Sequence, residues 1–411
     1  MRIKHILAGA AALPLLFLAT SAAAQANAAK PADGFTIKPI ADARLRYETV
    51  DQGALEADAV TFRLRAGVEA KTGKLSIMAE GEGTLAIVDN YNAFPFAIAN
   101  ESQRRPRFAT VADPENLELN RLQLQYKDGA NALTVGRQRV ALDDQRFVGS
   151  VSWRQNEQTF DAVRGEAKLG PVTADLAYAI AQRTIYGEDA GPRTALDGDF
   201  VFAGLGSKLG PVQGKLFAYL IDYDESIVFA NSSQTYGGYL TTAVPLGGKN
   251  KLNLRASYAR QSDYRSNPFD YAADYVNLEG GTTLAGFNLI GGWEKLGSDN
   301  VRSVQTPLAT LHKFNGWADL FLTTPAAGLE DAYVGITRKF DGVKQLPGLN
   351  AAVTFHQFDS DVGNLEYGTE WDASVGFRIR KVGVLLKYAD YDAKGFGVDT
   401  RKFWLQAEVA F

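Results

Sequence analysis

The chain has 411 residues, of which 46% are hydrophobic, 11% aromatic and 22% charged, with no cysteine. The many aromatics exclude a wholly disordered protein, and the lack of cysteine excludes disulfide scaffolds and thiolate zinc sites. The formal net charge of −4 argues against nucleic acid as a partner, because nucleic-acid-binding proteins usually carry a basic excess. With three histidines, we expect no metal site and no cofactor.

The N-terminus, residues 1–28, has the pattern of a secretory signal peptide. Two basic residues precede a short apolar run, which is followed by A-x-A cleavage sites. A membrane anchor is the alternative, but the run is short for a bilayer and Pro14 interrupts it. We expect cleavage after Ala28, which leaves residues 29–411 as one domain.

Apolar and polar residues alternate through most of the remaining chain. From Val60 to Lys71, for example, apolar residues occupy the even positions and mostly polar residues the odd ones. Successive side chains of a strand point to opposite faces, so such a segment has one apolar and one charged face. The pattern predicts eighteen strands, near residues 35–49, 59–71, 74–89, 116–128, 131–140, 157–169, 171–183, 198–209, 211–224, 234–245, 250–262, 271–284, 286–297, 330–341, 349–359, 366–380, 383–392 and 400–411.

One predicted strand changes its alternation part-way. Leu117 and Leu119 have the opposite parity from Leu122 and Leu124. An extra residue in one strand reverses the side on which the following side chains point. We therefore expect a β-bulge near Asn120.

The connections between strands are of two kinds. Very short turns, most of them containing glycine, alternate with long loops at 90–115, 141–156, 184–197 and 298–329. Tight turns join antiparallel neighbours, because glycine adopts the positive φ that hairpins need. Short turns at one end and long loops at the other are typical of an outer-membrane barrel.

Two of the long loops contain unusual residues. The first carries Phe94 and Phe96 followed by the basic segment 104–107, and we interpret it as a solvated loop, with a position in the pore as the alternative. The last is apolar at 314–321. We expect this segment to pack inside the mouth of the barrel, with an additional strand as the alternative.

A soluble β-sandwich also has alternating strands, so we use strand length to distinguish a sandwich from a membrane barrel. Sandwich strands average about five or six residues, whereas the predicted strands are roughly ten to fifteen residues long and can cross a bilayer when tilted. Charges in mid-strand suit a wet lumen better than a dry core. The sequence therefore predicts an all-β protein, a transmembrane antiparallel β-barrel of 18 strands with short periplasmic turns and longer extracellular loops, in the Gram-negative outer membrane.

The expected partners follow from this location. The outer surface would contact outer-membrane lipid and lipopolysaccharide. The chain ends on Phe411 at the close of an alternating strand, and we expect the barrel assembly machinery to recognise this terminal aromatic residue. Inside the barrel, we expect an anionic small molecule or polysaccharide as substrate.

Charged residues on the lumen-facing parity suggest how the pore selects its solutes. The first two strands are rich in arginine, and acidic residues follow on the third. Such charges attract ions of the opposite sign, although they could also simply solvate the lumen and pair across strands. The candidate pore-lining residues are Arg44, Arg46, Arg63, Arg65, Arg121, Arg164, Arg378, Arg380, Glu80 and Glu82.

Four segments resemble the alginate-export porin family: Arg44-Leu45-Arg46-Tyr47-Glu48, Phe62-Arg63-Leu64-Arg65, Gly136-Arg137-Gln138 and residues 153–161. The resemblance covers nearly the whole mature chain and implies an eighteen-stranded monomeric barrel with an arginine-rich pore for an anionic polysaccharide. It also implies pore roles for a set of arginines, namely Arg46, Arg65, Arg121, Arg137 and Arg164, and the same role fits Arg378 and Arg380.

The chain departs from the polysaccharide exporter of that family in one respect. The exporter has a long periplasmic loop that plugs its lumen, whereas every predicted periplasmic turn here is brief, the longest being about 341–348. We therefore expect a passive aqueous channel for anionic solutes or oligosaccharides. A dedicated exporter of an anionic polysaccharide such as alginate is the alternative.

Two further classes of protein are disfavoured. A hydrolase barrel needs a histidine as general base beside a nucleophile. Only His312 and His356 follow the leader, and no serine lies at a suggestive spacing from either. We therefore expect no enzymatic activity, and a structural adhesin would need larger extracellular loops.

Overall fold

The structure, a computed structural model, describes residues 34–98, 102–248 and 250–410. The predictions for the signal peptide and for Phe411 lie outside these ranges. Almost all of the regular structure is β, apart from short 3-10 helices at Glu188–Arg193 and Phe229–Asn231. The strands are β1 (Phe35–Gln52), β2 (Leu55–Thr72), β3 (Leu75–Asn90), β4 (Asn116–Asp128), β5 (Asn131–Gln138), β6 (Thr159–Leu169), β7 (Val172–Arg183), β8 (Ala195–Leu209), β9 (Val212–Tyr223), β10 (Ser233–Gly247), β11 (Asn250–Asp263), β12 (Ala272–Leu284), β13 (Phe287–Leu296), β14 (Leu329–Lys339), β15 (Asn350–Asp359), β16 (Glu366–Ile379), β17 (Val382–Ala393) and β18 (Thr400–Ala410).

The sheet closes on itself to form a barrel. Each strand pairs antiparallel with its neighbours in sequence, and β1 also pairs with β18, from Asp42 opposite Ala410 to Gln52 opposite Thr400. A closed sheet leaves no unpaired edge, which lipid would not tolerate. The prediction of a closed 18-stranded antiparallel barrel is confirmed. Within the described ranges, no helix has the length and hydropathy needed to span a membrane.

The first hairpin shows the largest departure from the predicted strand boundaries. The sequence predicts that the first strand ends near residue 49 and that the second begins near residue 59, but β1 and β2 continue to a turn at residues 53–54. The extension is stabilised by tertiary packing, because Ala57 and Ala59 are buried in a small apolar cluster with Phe94. The loop that follows β3 is therefore packed over this hairpin through its apolar residues, while Pro106 and Arg107 of its basic segment are exposed.

The predicted bulge in β4 is confirmed. Glu80 lies opposite Arg121, while Gly81 lies opposite Leu119, so Asn120 is the extra residue. The bulge buries Asn120 and leaves Leu117 and Leu119 exposed. It thus keeps the leucines of β4 on the outer surface on both sides of the irregularity.

The two ends of the barrel differ as predicted. One end has short turns, in which Gly129 and Gly170 adopt φ angles of 61° and 62°, a conformation that costs glycine little. The other end has long loops, including residues 139–158 and 297–328. The segment 314–321 lies in the second of these loops and forms no strand, and Phe321 is buried inside the barrel. The expectation of packing inside the barrel mouth is confirmed.

The outward orientation of the apolar face predicts the cost of a charge there. Leu64, in the middle of β2, is exposed on the outer surface, whereas Thr241 lines a cavity inside the barrel. We expect Leu64→Arg to reduce the stability of the barrel folded in lipid vesicles, measured as the free energy of unfolding, by about 2–4 kcal/mol. The cause is that the charged side chain must enter the acyl chains. Thr241→Arg should cost far less. Urea titrations followed by gel shift measure both, and equal losses would contradict a lipid-facing Leu64.

Candidate functional site

Two long loops fold into the barrel and form one body. Loop A comprises residues 139–158 and loop B residues 297–328. Gly149 N donates to the carbonyl of Leu308 at 2.8 Å, and Thr310 N donates to the carbonyl of Gln145 at 3.1 Å. Gln158 Nε2 adds a bond to the carbonyl of Leu308 at 3.0 Å. We call this two-loop body the plug.

Apolar packing joins the plug to the barrel wall. Phe147 of loop A contacts Phe217 and Tyr275, with ring centroids 5.4 and 5.1 Å apart. Phe321 of loop B packs on Phe358 at 4.6 Å. These residues belong to or pack against one large buried cluster that extends from loop A and β6 to β18. The extracellular half of the lumen is therefore largely filled by side chains.

The arginines of β1 and β2 hold loop A from the other side. Arg44 Nη1 donates to the backbone carbonyls of residues 152, 153 and 154, each at 3.1 Å. Arg46 Nη2 donates to the carbonyl of Trp153 at 2.5 Å, and Arg65 Nη2 to that of Gln155 at 3.3 Å. We call residues 152–155 the strap. The strap thus covers the wall on which the sequence places the pore arginines.

Carboxylates neutralise much of the same wall. Glu82 accepts a short hydrogen bond from Arg65, and Glu80 accepts bonds from Arg121 at 2.7 and 2.8 Å. Arg63, which is fully buried, contacts Asp42 and lies 3.7 Å from Glu408. Burying a charge is tolerated only when it is paired. The wall is therefore a network of ion pairs beneath the strap.

Loop B is fixed by a histidine between two charged groups. Lys387 Nζ lies 2.6 Å from His312 Nε2, and His312 Nδ1 lies 2.8 Å from Asp319. Asp319 also accepts hydrogen bonds from Lys402 at 3.1 Å and from Arg154 at 2.9 Å. Since the lysine must donate to Nε2, the imidazole is neutral and donates through Nδ1 to Asp319.

The surroundings of His312 keep it neutral. Its ring stacks on Trp153 with a centroid separation of 4.4 Å, and Lys387 Nζ lies 3.6 Å from the centroid of Trp317. Burial lowers the pKa of His312 well below its usual range, although the Asp319 charge opposes this. Burial alone would raise the pKa of Asp319, but His312 and Lys402 outweigh it and hold that pKa well below its usual range.

The periplasmic half of the lumen is open. A cavity of about 660 Å³ is lined by polar side chains of β9 to β13, including Arg255, Glu279 and Asn288. A second cavity of about 310 Å³ lies beside Asp143 of loop A and Lys215. Water can therefore enter from the side of the short turns up to the base of the plug.

A sequence profile described as "Alginate export" matches residues 77–287, slightly more than half of the chain. The chain belongs to the alginate export family. The matched region contains all of loop A, so the part of the plug that meets the arginine wall lies within it. No curated protein sequence matches the chain significantly.

Solved outer-membrane barrels share the fold of this alginate export family member. OpdK of Pseudomonas aeruginosa, crystallised with vanillate, superposes with a TM-score of 0.69 and 14% identity, covering 91% of this chain and 98% of that one. OccAB4 of Acinetobacter baumannii gives 0.69 at 13%, covering 91% and 98%. OpdL of Pseudomonas aeruginosa gives 0.66 at 16%, covering 91% and 99%. The protein thus shares the fold of these solved outer-membrane barrels.

The structure places most of the predicted pore residues inside the barrel. The arginines at 44, 46, 63 and 65 and the glutamates at 80 and 82 are buried beneath the strap. Arg164 faces the lumen from β6, where it is paired with Asp175. Arg378 has the same parity as the buried Asp372, but it lies at the periplasmic end of β16 and is exposed.

Two predicted pore residues lie elsewhere. Arg380 is in the turn after β16, with φ 56°, so the prediction that it lines the wall is wrong. Arg137 shares its parity on β5 with Leu133 and Val135, which are exposed on the outer surface. It therefore faces outward, and the pore role implied by the family resemblance is wrong for this residue.

Sequence reasoning missed the arginines that anchor the plug. Arg146 is paired with Glu294 at 2.9 Å and Arg154 with Glu48 at 3.1 Å, and neither arginine was a candidate pore residue, although the alternation places both glutamates on the lumen-facing side. The sequence signal that could have indicated these anchors is the apolar loop segment 314–321. A loop that is partly buried needs partners inside the barrel for its charged residues. Arg154 also lies in the segment 153–161 that carries the family resemblance.

The two histidines have structural rather than hydrolytic surroundings. His356 Nδ1 is bonded to Asp331 at 2.8 Å, and its Nε2 faces Asp372 at 3.8 Å. His312 Nε2 faces a lysine. In the part of the chain that the structure describes, no hydroxyl group is hydrogen-bonded to either ring. No group of three or more histidine or acidic side chains in these ranges is placed to hold a metal ion.

Acid should loosen loop B. Its histidine is neutral when folded, with a pKa below the unfolded value of about 6.5, so its contribution to stability is complete above that pH. The contribution decreases as pH falls below 6.5, by up to about 1.4 kcal/mol per pH unit, because a protonated ring would be buried away from water and would lie near Lys387 and Arg154. We expect faster proteolysis within loop B at pH 5 than at pH 7.5.

The variant His312→Gln supplies the control for this pH dependence. Its amide can accept from Lys387 but cannot be protonated in this range. We expect its proteolysis within loop B to change much less between the two pH values, measured with an acid-tolerant protease and normalised to cleavage of an unfolded substrate. An equal change in both proteins would contradict the role of His312.

Proposed function

We propose that this protein is a passive outer-membrane channel for small anionic solutes, with the strap as its gate. The observation that supports it is the row of guanidinium groups on β1 and β2 that hold the carbonyls of residues 152–155. Carbonyl and carboxylate oxygens accept the same hydrogen bonds, and the charged acceptor binds arginine more strongly. When the strap withdraws, these donors would face the pore.

The charge balance of the wall sets the expected degree of selectivity. Arg44 and Arg63 lie directly opposite each other on neighbouring strands, and like charges so close favour an anion between them. The carboxylates beneath them offset part of this charge. A modest preference for anions is therefore expected rather than exclusive passage.

The choice between diffusion and polymer export rests on the periplasmic turns. The longest periplasmic connection between described strands is residues 340–349, too short to plug a lumen of this size. The occluding element is instead the plug, which enters from the extracellular end. This arrangement favours a diffusion channel over a dedicated polysaccharide exporter, and OpdK, a barrel of the same fold, was crystallised with the small carboxylate vanillate.

The outer membrane is the proposed location. OpdK is described as an outer membrane protein, and the present barrel has an exposed apolar face from β1 to β18. We further propose that residues 1–28 are removed as a signal peptide and that Phe411 is recognised during assembly.

Conductance in planar bilayers tests the channel. We expect brief openings and a reversal potential in a salt gradient that indicates anion preference, with vanillate and galacturonate as competing permeants. Arg44→Gln removes the hydrogen bonds to three strap carbonyls. It should lengthen the openings and lower the anion preference about threefold, since one charge is lost from a partly screened wall.

Arg164→Gln is the matched control, because it removes a lumen arginine that is paired with Asp175 and does not contact the strap. Its openings should keep the wild-type duration. Cation preference in the wild type would overturn the anionic substrate class. Passage of polymannuronate without conduction of small ions would favour the exporter.

A further inference from the structure

Three charged residues meet on the outer face at the extracellular ends of β5, β6 and β7. They are Arg137, Asp161 and Arg183, and we call them the rim triad. Asp161 shares its parity with the exposed Val163, and Arg183 is the last residue of β7. The rim triad therefore faces the surrounding membrane at the level of the outer leaflet rather than the pore.

In the rim triad, two guanidinium groups share one carboxylate. Arg137 donates to Asp161 from Nε at 2.8 Å and from Nη2 at 3.2 Å. Arg183 donates to the same carboxylate from Nε at 3.2 Å and from Nη2 at 3.1 Å. Glu118 of β4 also interacts electrostatically with both guanidinium groups. Arg183 Nη1 has no hydrogen-bond partner within the described ranges. The Arg183 side chain remains 31% exposed.

Three other arginines near the extracellular end of the barrel are paired with acidic residues. Arg260 is paired with Asp274 at 3.0 Å, and Arg401 with Asp390 at 3.1 Å. Arg265 lies between two carboxylates, those of Asp199 and Asp222. At the rim triad, by contrast, two guanidinium groups are hydrogen-bonded to a single carboxylate, which distinguishes it from these sites.

The surface next to the rim triad is apolar. Leu117, Leu119 and Ile180 are exposed on the same outer face, and Arg137 Nη1 donates to the carbonyl of Leu119 at 2.9 Å. A ligand bound here would place an anionic group on the arginines and hydrocarbon on the leucines. Lipids of the outer leaflet have this chemistry.

We propose that the rim triad binds a phosphate group of lipid A, the anchor of lipopolysaccharide. A phosphate oxygen can accept hydrogen bonds from Arg183 Nη1 and the remaining N–H groups of both guanidiniums, and arginine is well suited to such multidentate binding. The acyl chains then lie against Leu117, Leu119 and Ile180. The site belongs to the outer surface and is independent of conduction through the pore.

Native mass spectrometry of the detergent-solubilised mature protein tests this site. Bisphosphorylated lipid A is the probe, and monophosphorylated lipid A of the same acylation is the comparison. We expect the double variant Arg137→Gln/Arg183→Gln to bind bisphosphorylated lipid A about tenfold more weakly, the effect of losing one charge-assisted contact of ordinary strength. Arg137→Lys/Arg183→Lys should restore part of the loss.

The matched control is Arg338→Gln, at the other end of the barrel. Arg338 also lies on the outer face, but its guanidinium packs over Phe287 at 4.4 Å and Phe340 at 5.5 Å near the periplasmic turns. This variant should keep the wild-type affinity for lipid A. An equal loss in the control and in the double variant would overturn the assignment.

The variant Asp161→Asn distinguishes lipid A binding from a purely structural role of the two arginines in holding the strands together. It leaves both arginines and removes the competing carboxylate, so we expect lipid A to bind at least threefold more tightly, because the site gains a charge. A weaker affinity in this variant would mean that the arginines only brace β5 to β7. If millimolar inorganic phosphate competed for the site as effectively as lipid A does, the site would bind free phosphate. That result would overturn the assignment to a lipid.

Discussion

Buried guanidinium groups need acceptors, and this requirement organises the interior of the barrel. Arg46 has no exposed surface, and taking such an ion out of water costs several kcal/mol unless hydrogen bonds replace its hydration. The neighbouring strand supplies Gln406, and the strap supplies the carbonyl of Trp153. The wall and the strap therefore complete each other, because either alone would leave buried polar groups unpaired.

The same requirement explains why the extracellular loops turn inward rather than extend into solvent. Loop A brings carbonyls to the arginines of β1 and β2, while Arg154 of that loop is paired with Glu48 on β1 and Arg146 with Glu294 on β13. Loop B then adds apolar residues that pack around these ion pairs. Exclusion of water strengthens each pair, so polar and apolar contacts together keep the plug in one arrangement.

The barrel divides along its axis into a filled and an open half. The wall itself has the same alternating construction at both ends, so the difference comes from the loops and not from the strands. The plug that fills the extracellular half is held by a few side chains such as Arg44, His312 and Lys387. In this member of the alginate export family, the barrel wall supports the loops, and the loops fill the extracellular half of the lumen.

The strands could be predicted from the sequence because alternation is a local property. It gave the eighteen strands with boundaries within four residues of those described, and the parity change at Leu119 and Leu122 was enough to place the bulge at Asn120. The plug contacts are not local. Arg44 meets a carbonyl 108 residues away and Arg146 meets a carboxylate 148 residues away, and no period in the sequence connects such pairs.

Arg137 shows where a resemblance and the residue pattern disagree. Its place among the pore arginines came from the family segment Gly136-Arg137-Gln138, whereas its own strand puts it in phase with Leu133 and Val135. A step of one residue moves a side chain to the opposite face of a sheet, so Thr134 is buried and its neighbours are exposed. Parity therefore outweighs motif membership in a barrel. It moves this guanidinium from the solute side to the outer surface, where it is paired with Asp161.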